Sequence, residues 1–378
     1  MADLHSIVIV GNGVAGMTAG DTLRRLGYDG ALTIIGEEPH ATYSRPALSK
    51  VALAPSEDLD VGTLPDPTHG GTELLGRTAV GLDTDGRTVP LDDGTQVGFD
   101  GLIIAAGSHA RRFTDSAREL TLRSLDDAAV LKRHLLDRPT VTVIGGGPLG
   151  MEVASGAVGL GCPVTLVHPG TPMELHLGSL LGSILTDAAL EQGLRVIDAM
   201  VSTVREFGEG MTVTLTDGSE LTSDIVITAA GDLPNIGWLE DSGLLAGGRL
   251  IADDRCRITD RIVAAGDVTW INGPSGVGRK PIWTTAIEQG KVAAAALLHG
   301  DDAPALDHPV YFWTDQWGQS LKMSGPIPSG EEDPVVVEGD LADRAAVLHW
   351  PGSGTAAALN MRMPIPRLHR LAATETVA

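Results

Sequence analysis

One pattern occurs twice in this chain, and it limits the possible folds more than any other feature. The run Ser6-Ile-Val-Ile-Val10 ends in Gly11, Gly13 and Gly16, and a helical stretch follows from Val14 to Leu26. Much later, Val141-Thr-Val-Ile144 ends in Gly145, Gly147 and Gly150 and leads into a helical stretch from Pro148 to Leu160. A lone G-x-G-x-x-G means little. Here each copy stands between an apolar strand and an apolar-faced helix, the context that gives the spacing its physical meaning. The first glycine turns the chain tightly and the second lets backbone amides approach a pyrophosphate. The third lets helix and strand pack closely, and the helix N-terminus attracts the phosphate charge.

Each copy also closes in the same way. Residues 83–98 and 206–222 alternate around Asp-Gly turns, as small antiparallel meanders do. Each meander then runs into an apolar strand, Leu102 to Ser108 in one case and Ile225 to Asp232 in the other. A third strand, Ile262 to Val268, ends in glycine plus Asp267. The expected fold is α/β, with two Rossmann-like dinucleotide-binding domains. Two dinucleotide sites in one chain imply a flavin beside a nicotinamide nucleotide, with hydride passing between them.

Charge and cysteine usage narrow the function. Acidic residues number 49 against 27 basic ones, a net charge of −22. Such a surface repels phosphate backbones and anionic lipid, so neither nucleic acid nor membrane is an expected partner. No apolar run reaches the ~18 residues needed to span a bilayer, and the N-terminus offers no basic-then-apolar targeting segment. A reduced, cytoplasmic setting is expected. Cys162 and Cys256 are too few for a disulfide scaffold or a cysteine-only zinc site, and no metal is expected. Disulfide exchange needs a reactive thiol beside the flavin. The stretch from Glu37 to Ala52 has none.

Four segments carry a family likeness: 11–16 (GNGVAG), 35–50 (IGEEPHATYSRPALSK), 264–268 (AAGDV) and 312–316 (FWTDQ). Together they resemble the FAD-dependent NAD(P)H:ferredoxin reductases that serve oxygenases and cytochromes P450, and the likeness runs along the whole chain. It implies glutathione-reductase-type dinucleotide-binding domains with a shortened α+β domain at the C-terminus. The FAD domain would comprise 1–108 and 240–310, the NAD(P) domain 109–239, and the interface domain 311–378. It also implies FAD, NADH or NADPH as cofactors and an iron–sulfur ferredoxin as partner, in a monomer or homodimer.

Residue by residue, the first glycine turn (Gly11, Gly13, Val14, Ala15, Gly16) would hold FAD. Glu37 lies roughly 20 residues past Gly16 at a strand end, where an acid accepts hydrogen bonds from a ribose hydroxyl; its neighbour Glu38 reads as a solvated loop acid. The resemblance adds Arg45, Ala79, Ala106, Gly107, Arg111, Asp267, Val268, Trp283, Thr284 and Trp313 as FAD contacts. Lys50 matches the lysine beside the flavin ring, where a cation stabilises negative charge on reduced flavin. Glu152 would pair with Lys50 across the domain boundary, beside the stacked nicotinamide, and these two are the expected catalytic pair. NAD(P) contacts would come from Gly145, Gly147, Pro148, Leu149, Gly150, Glu152, His168, Ala230 and Gly231.

Several positions depart from the family. Strand Val164–His168 ends in histidine, where NADH users carry an acid and NADPH users place arginines nearby, so the nucleotide preference stays open. Pro148 stands where a bulky residue is usual, Ala106 and Ala230 where threonine is usual, Pro281 for an acid and Leu233 for an arginine. The negative charge opposes an acidic ferredoxin. Its local counterweight is Arg362–Arg370, either a docking patch with Arg367 and Arg370 or a frayed terminus. Two rivals therefore stay open. One is a stand-alone flavoprotein oxidase or dehydrogenase acting on a small organic substrate; the other is a non-enzymatic redox-sensing flavoprotein.

Overall fold

The computed structural model describes residues 4–50, 53, 61, 64–274, 276–330 and 332–374. Two compact units emerge. The first combines Met1–Ser44, Gly62–His109 and Leu233–His308; the second combines Arg45–Val61, Ala110–Asp232 and Pro309–Ala378.

In the first unit the apolar runs form a five-stranded parallel sheet in the spatial order Ile262–Ala264, Gly101–Ile104, Ser6–Val10, Ala31–Gly36, Thr72–Leu75. Register places Val10 beside Ile35 on one side and Ile104 on the other. Both faces are covered, which is why these strands read as continuous apolar runs. Ile7, Ile9, Ile34 and Ile103 pack beneath the helices Val14–Arg25 and Trp283–His299. Val8, Ile35, Leu102 and Ile104 meet Leu82, Val89, Leu239 and Leu250 on the other face. The two helices lie very close. A Cβ on Gly290 would fall 2.6 Å from the Ala15 carbonyl oxygen.

The second unit repeats this plan. Its parallel sheet runs Arg195–Asp198, Val164–His168, Val141–Ile144, Ile225–Thr228, Glu119–Leu120, with helix Pro148–Gly159 following the second glycine turn. The meanders differ in extent. Residues 201–223 make three antiparallel strands. In 83–98 only Thr88–Pro90 and Gln96–Gly98 pair as strands, helped by the isolated bridges Asp83–Thr88 and Ala79–Leu91.

A five-stranded antiparallel sheet completes this unit, in the order Tyr311–Gln316, Gln319–Ser324, Thr355–Leu359, Ala345–Trp350, Val335–Asp340. Helix Ile365–Ala372 covers it, burying Leu368 and Ala372 against Val347, Ala356 and Ala358. The frayed reading of this basic stretch is thus corrected. Its alternation of apolar and basic residues at helical spacing is satisfied by the sheet, with Arg367 3.5 Å from Glu338 and His369 Nδ1 2.6 Å from Ser324 Oγ. Among the described residues no helix is long and apolar enough to cross a membrane.

Candidate functional site

The two glycine turns obey one steric rule. Gly11 has φ +116° and Gly145 φ +109°, a left-handed region that side chains rarely adopt. A Cβ on Gly11 would meet the Ala105 carbonyl oxygen at 2.1 Å, and one on Gly145 the Ala229 oxygen at 2.4 Å. The third glycines are as constrained: a Cβ on Gly16 or Gly150 would fall 1.9 or 1.8 Å from the carbonyl oxygen of the first glycine of its own turn. Gly13 has open space where its Cβ would be, which leaves the helix N-terminus behind it approachable. Beside it the Asn12 side-chain nitrogen is buried without a hydrogen-bond partner, while its oxygen accepts from Thr42 Oγ1 at 3.0 Å. An orphan donor at an anion-binding turn suits a phosphate-bearing ligand, so the residues fit the adenosine diphosphate half of FAD.

Other expected FAD residues in this unit lie at the ends of the same strands. Glu37 is exposed just past strand Ala31–Gly36, with its carboxylate available. Glu38 is not the solvated acid expected: it is half-buried and accepts 2.6 Å from the Tyr43 hydroxyl, a partner five residues away that closes the loop. Ala106 and Gly107 follow strand Gly101–Ile104, and Asn235 donates to the Ala106 carbonyl at 2.9 Å. Asp267 and buried Val268 follow strand Ile262–Ala264, and the adjacent Gly266 amide donates to buried Gln289. Trp283 and Thr284 open the long helix, half-buried. Ala79 is buried in the sheet's second face.

A dense polar cluster lies within the second unit. Glu152, 5% exposed on the helix of the second glycine turn, is surrounded by donors. Lys50 Nζ stands 2.8 Å from Oε1 and 2.9 Å from Oε2. Thr314 Oγ1 donates to Oε1 at 2.6 Å, and Ser49 Oγ donates to Oε2. Gln316 Nε2 in turn donates to Thr314 Oγ1 at 2.8 Å. Lys50 also sits 5.9 Å from the centre of the Trp313 ring, which stacks on Tyr311. A buried carboxylate is tolerated only when paired and hydrogen-bonded, and this one has both kinds of partner. Two neighbours of Lys50 in the chain are also held within this unit. Arg45 donates to the Arg123 carbonyl at 2.6 Å, and a Cβ on Gly156 would meet that of Leu53 at 3.0 Å.

The family model described as pyridine nucleotide-disulphide oxidoreductase matches residues 5–290. The chain belongs to that family. It is therefore an oxidoreductase that uses FAD and a nicotinamide nucleotide. It is 33% identical to the ferredoxin–NAD(+) reductase component of a p-cumate 2,3-dioxygenase system from Pseudomonas putida, over 89% of this chain and 85% of that one. It is 30% identical to the ferredoxin–NAD(+) reductase component of a 3-phenylpropionate/cinnamic acid dioxygenase from Photorhabdus laumondii, over 98% and 96%. Among solved structures, the covalent putidaredoxin reductase–putidaredoxin complex superposes with a TM-score of 0.84 at 25% identity, covering 97% of this chain and 92% of that one.

In this member of the family the thiols are sequestered. Cys162 and Cys256 are both buried, and burial pushes each thiol up, Cys256 far more than Cys162. Neither is a nucleophile at neutral pH. Around the second glycine turn, Pro148 takes the first helical turn, where a missing N–H costs nothing. Leu149 follows it, half-buried. Ala230 and exposed Gly231 follow the closing strand Ile225–Thr228, and the Arg111 amide donates to the Gly231 carbonyl at 3.1 Å. The Arg111 side chain is exposed. His168 ends its strand half-buried, packed on Gly146: a Cβ there would fall 2.7 Å from the imidazole. Sequence reasoning did not single out Ser49, Thr314, Gln316 or His176, whose places at the Glu152 cluster and the second glycine turn depend on contacts between residues distant in the chain.

Proposed function

We propose that the chain is an FAD-dependent NAD(P)H:ferredoxin reductase. One nicotinamide nucleotide is oxidised, two ferredoxins each gain one electron, and one proton is released. The observation that carries this reading is the pairing of an ordered Lys50–Glu152–Thr314 cluster with the lack of any available thiol. Bound FAD supplies the step-down from hydride to single electrons. The residues 1–108 and 240–310 would hold FAD, 109–239 the nicotinamide nucleotide, and 311–378 would serve the partner. Lys50 would place a fixed cation beside the flavin, where negative charge develops on reduction. Glu152, held by Ser49 and Thr314, would fix that cation's position. Trp313 would shield the same place from water. We take the setting as cytoplasmic, with a monomer or homodimer acting on a soluble iron–sulfur protein.

Thiol alkylation separates this reading from disulfide chemistry. Enzyme treated with iodoacetamide should turn over NADH with a bacterial oxygenase ferredoxin as fast as untreated enzyme. Loss of turnover on alkylation, or absence of ferredoxin reduction by FAD-replete enzyme, would reject it.

A further inference from the structure

The second glycine turn is flanked by two imidazoles rather than one. The loop after strand Val164–His168 folds back so that the Met173 amide donates to the Gly146 carbonyl at 2.8 Å, with Met173 itself at φ +66°. That fold-back starts the short helix Glu174–Leu177 and brings His176 to the turn, where a Cβ on Gly147 would lie 3.4 Å from its Cε1. His168 reaches the neighbouring Gly146 from the strand end. Two ring systems thus stand over the two residues that precede the helix N-terminus.

In a βαβ nucleotide site the group at this strand end decides what the adenosine ribose can carry. A carboxylate accepts from the 2′-hydroxyl and repels a 2′-phosphate; a cationic or donating group reverses the preference. Strand Val164–His168 has no carboxylate there. The carboxylate closest to it in the sheet is Asp198, paired in register with His168, and its Oδ1 is engaged by the Gly170 amide at 2.8 Å.

We propose that His168 and His176 form a 2′-phosphate subsite, so that this enzyme takes NADPH as well as NADH. The inference rests on the reductase reading above, since it assigns the second turn to the nicotinamide nucleotide. Burial disfavours the charged form of both histidines, and His168 opposes protonation of His176, whereas Asp198 favours protonation of His168. Glu174, two residues before His176, is exposed. A bound phosphate dianion adds to the Asp198 effect and draws protons onto the imidazoles. Binding of a 2′-phosphorylated nucleotide therefore takes up protons and strengthens as pH falls.

The test uses FAD-replete enzyme and two adenosine halves, 2′,5′-ADP and 5′-ADP, titrated by calorimetry. The 2′,5′-ADP should bind at least as tightly as 5′-ADP, and several-fold more tightly at about pH 6 than at about pH 8. His176→Gln and His168→Gln should each weaken 2′,5′-ADP about tenfold, and by more than they weaken 5′-ADP. His168→Glu should turn the preference to 5′-ADP. If 5′-ADP binds and 2′,5′-ADP is about tenfold or more weaker, the subsite is refuted and the reductase reading stands. Tight 2′,5′-ADP binding that neither glutamine variant alters refutes the histidines' part in it. If neither fragment binds and neither NADH nor NADPH bleaches the flavin, both inferences fall together.

Discussion

The two glycine turns share one backbone and differ in their surroundings. Gly11 and Gly145 have nearly the same φ, and a Cβ added at Gly16 or Gly150 would meet the oxygen of its turn's first glycine at 1.9 or 1.8 Å. Beyond that the turns part. The first is followed by an exposed carboxylate at Glu37 and carries an unpaired Asn12 amide. The second has two imidazoles beside it and a buried carboxylate, Glu152, on its helix. Backbone sterics treat the two turns alike; on the proposed reading, the side chains one layer out decide which dinucleotide each holds and what happens to it.

Substitutions of the third glycines should give the largest effects and should separate the turns. Gly16→Ala forces a Cβ into a backbone oxygen and should cost ~3 kcal/mol or more, yielding protein without FAD. Gly150→Ala should keep its FAD and lose NADH binding. Flavin content after purification, with calorimetry against NADH, reads both. Loss of FAD from both variants would break the proposed division of labour.

Next come the groups around Glu152. Lys50→Ala and Glu152→Gln should slow flavin reduction by NADH about 100-fold with FAD still bound, as followed by stopped-flow absorbance. Unchanged rates would remove the pair from the mechanism. Thr314→Val deletes one donor to a buried carboxylate and should destabilise by ~1–3 kcal/mol, read by denaturant unfolding. Thr42→Val, which deletes the matching hydroxyl near the first turn, should cost less, because its acceptor Asn12 is neutral. Equal losses would remove the distinction.

The smallest effect expected is on pH dependence. His168 and His176 are both held below their usual value of 6.5 by burial. Folded protein then binds fewer protons than unfolded protein, so their contribution is fully present above pH 6.5 and is lost as pH falls through the folded values. Melting temperatures of ligand-free enzyme should drop between neutral and mildly acidic pH, and His176→Gln should drop less. An identical pH profile for the variant would show that His176 does not titrate in this window.

Much of this plan was legible in the chain. Val141–Ile144 and Ser6–Val10 are too apolar for a half-exposed strand, and the glycines after them have no other use, so sheet and turn followed from sterics. Glu152 drew notice only through its likeness to a known pattern; five residues into helix Pro148–Gly159, it lies past the first turn where an acid would complement the helix dipole. Ser49, Thr314 and Gln316 stand inside segments 35–50 and 312–316 yet carry no signal of their own, because their importance exists only once residues 103 and 162 positions apart meet at one carboxylate. Glu38 was misread for the same reason on a shorter scale, since a loop had to close before Tyr43 could reach it. His176 depends on a left-handed residue at Met173, a non-glycine position that no local rule anticipates.

The account stands or falls on anaerobic reduction of the purified yellow protein. NADH and NADPH are added in turn, and the flavin absorbance is followed before and after an oxidised bacterial ferredoxin is supplied. The account predicts rapid bleaching by the nucleotides and then recovery of flavin colour as the ferredoxin is reduced. A fully loaded flavin that neither nucleotide bleaches would contradict it, and would favour an enzyme whose flavin is reduced by a small organic substrate.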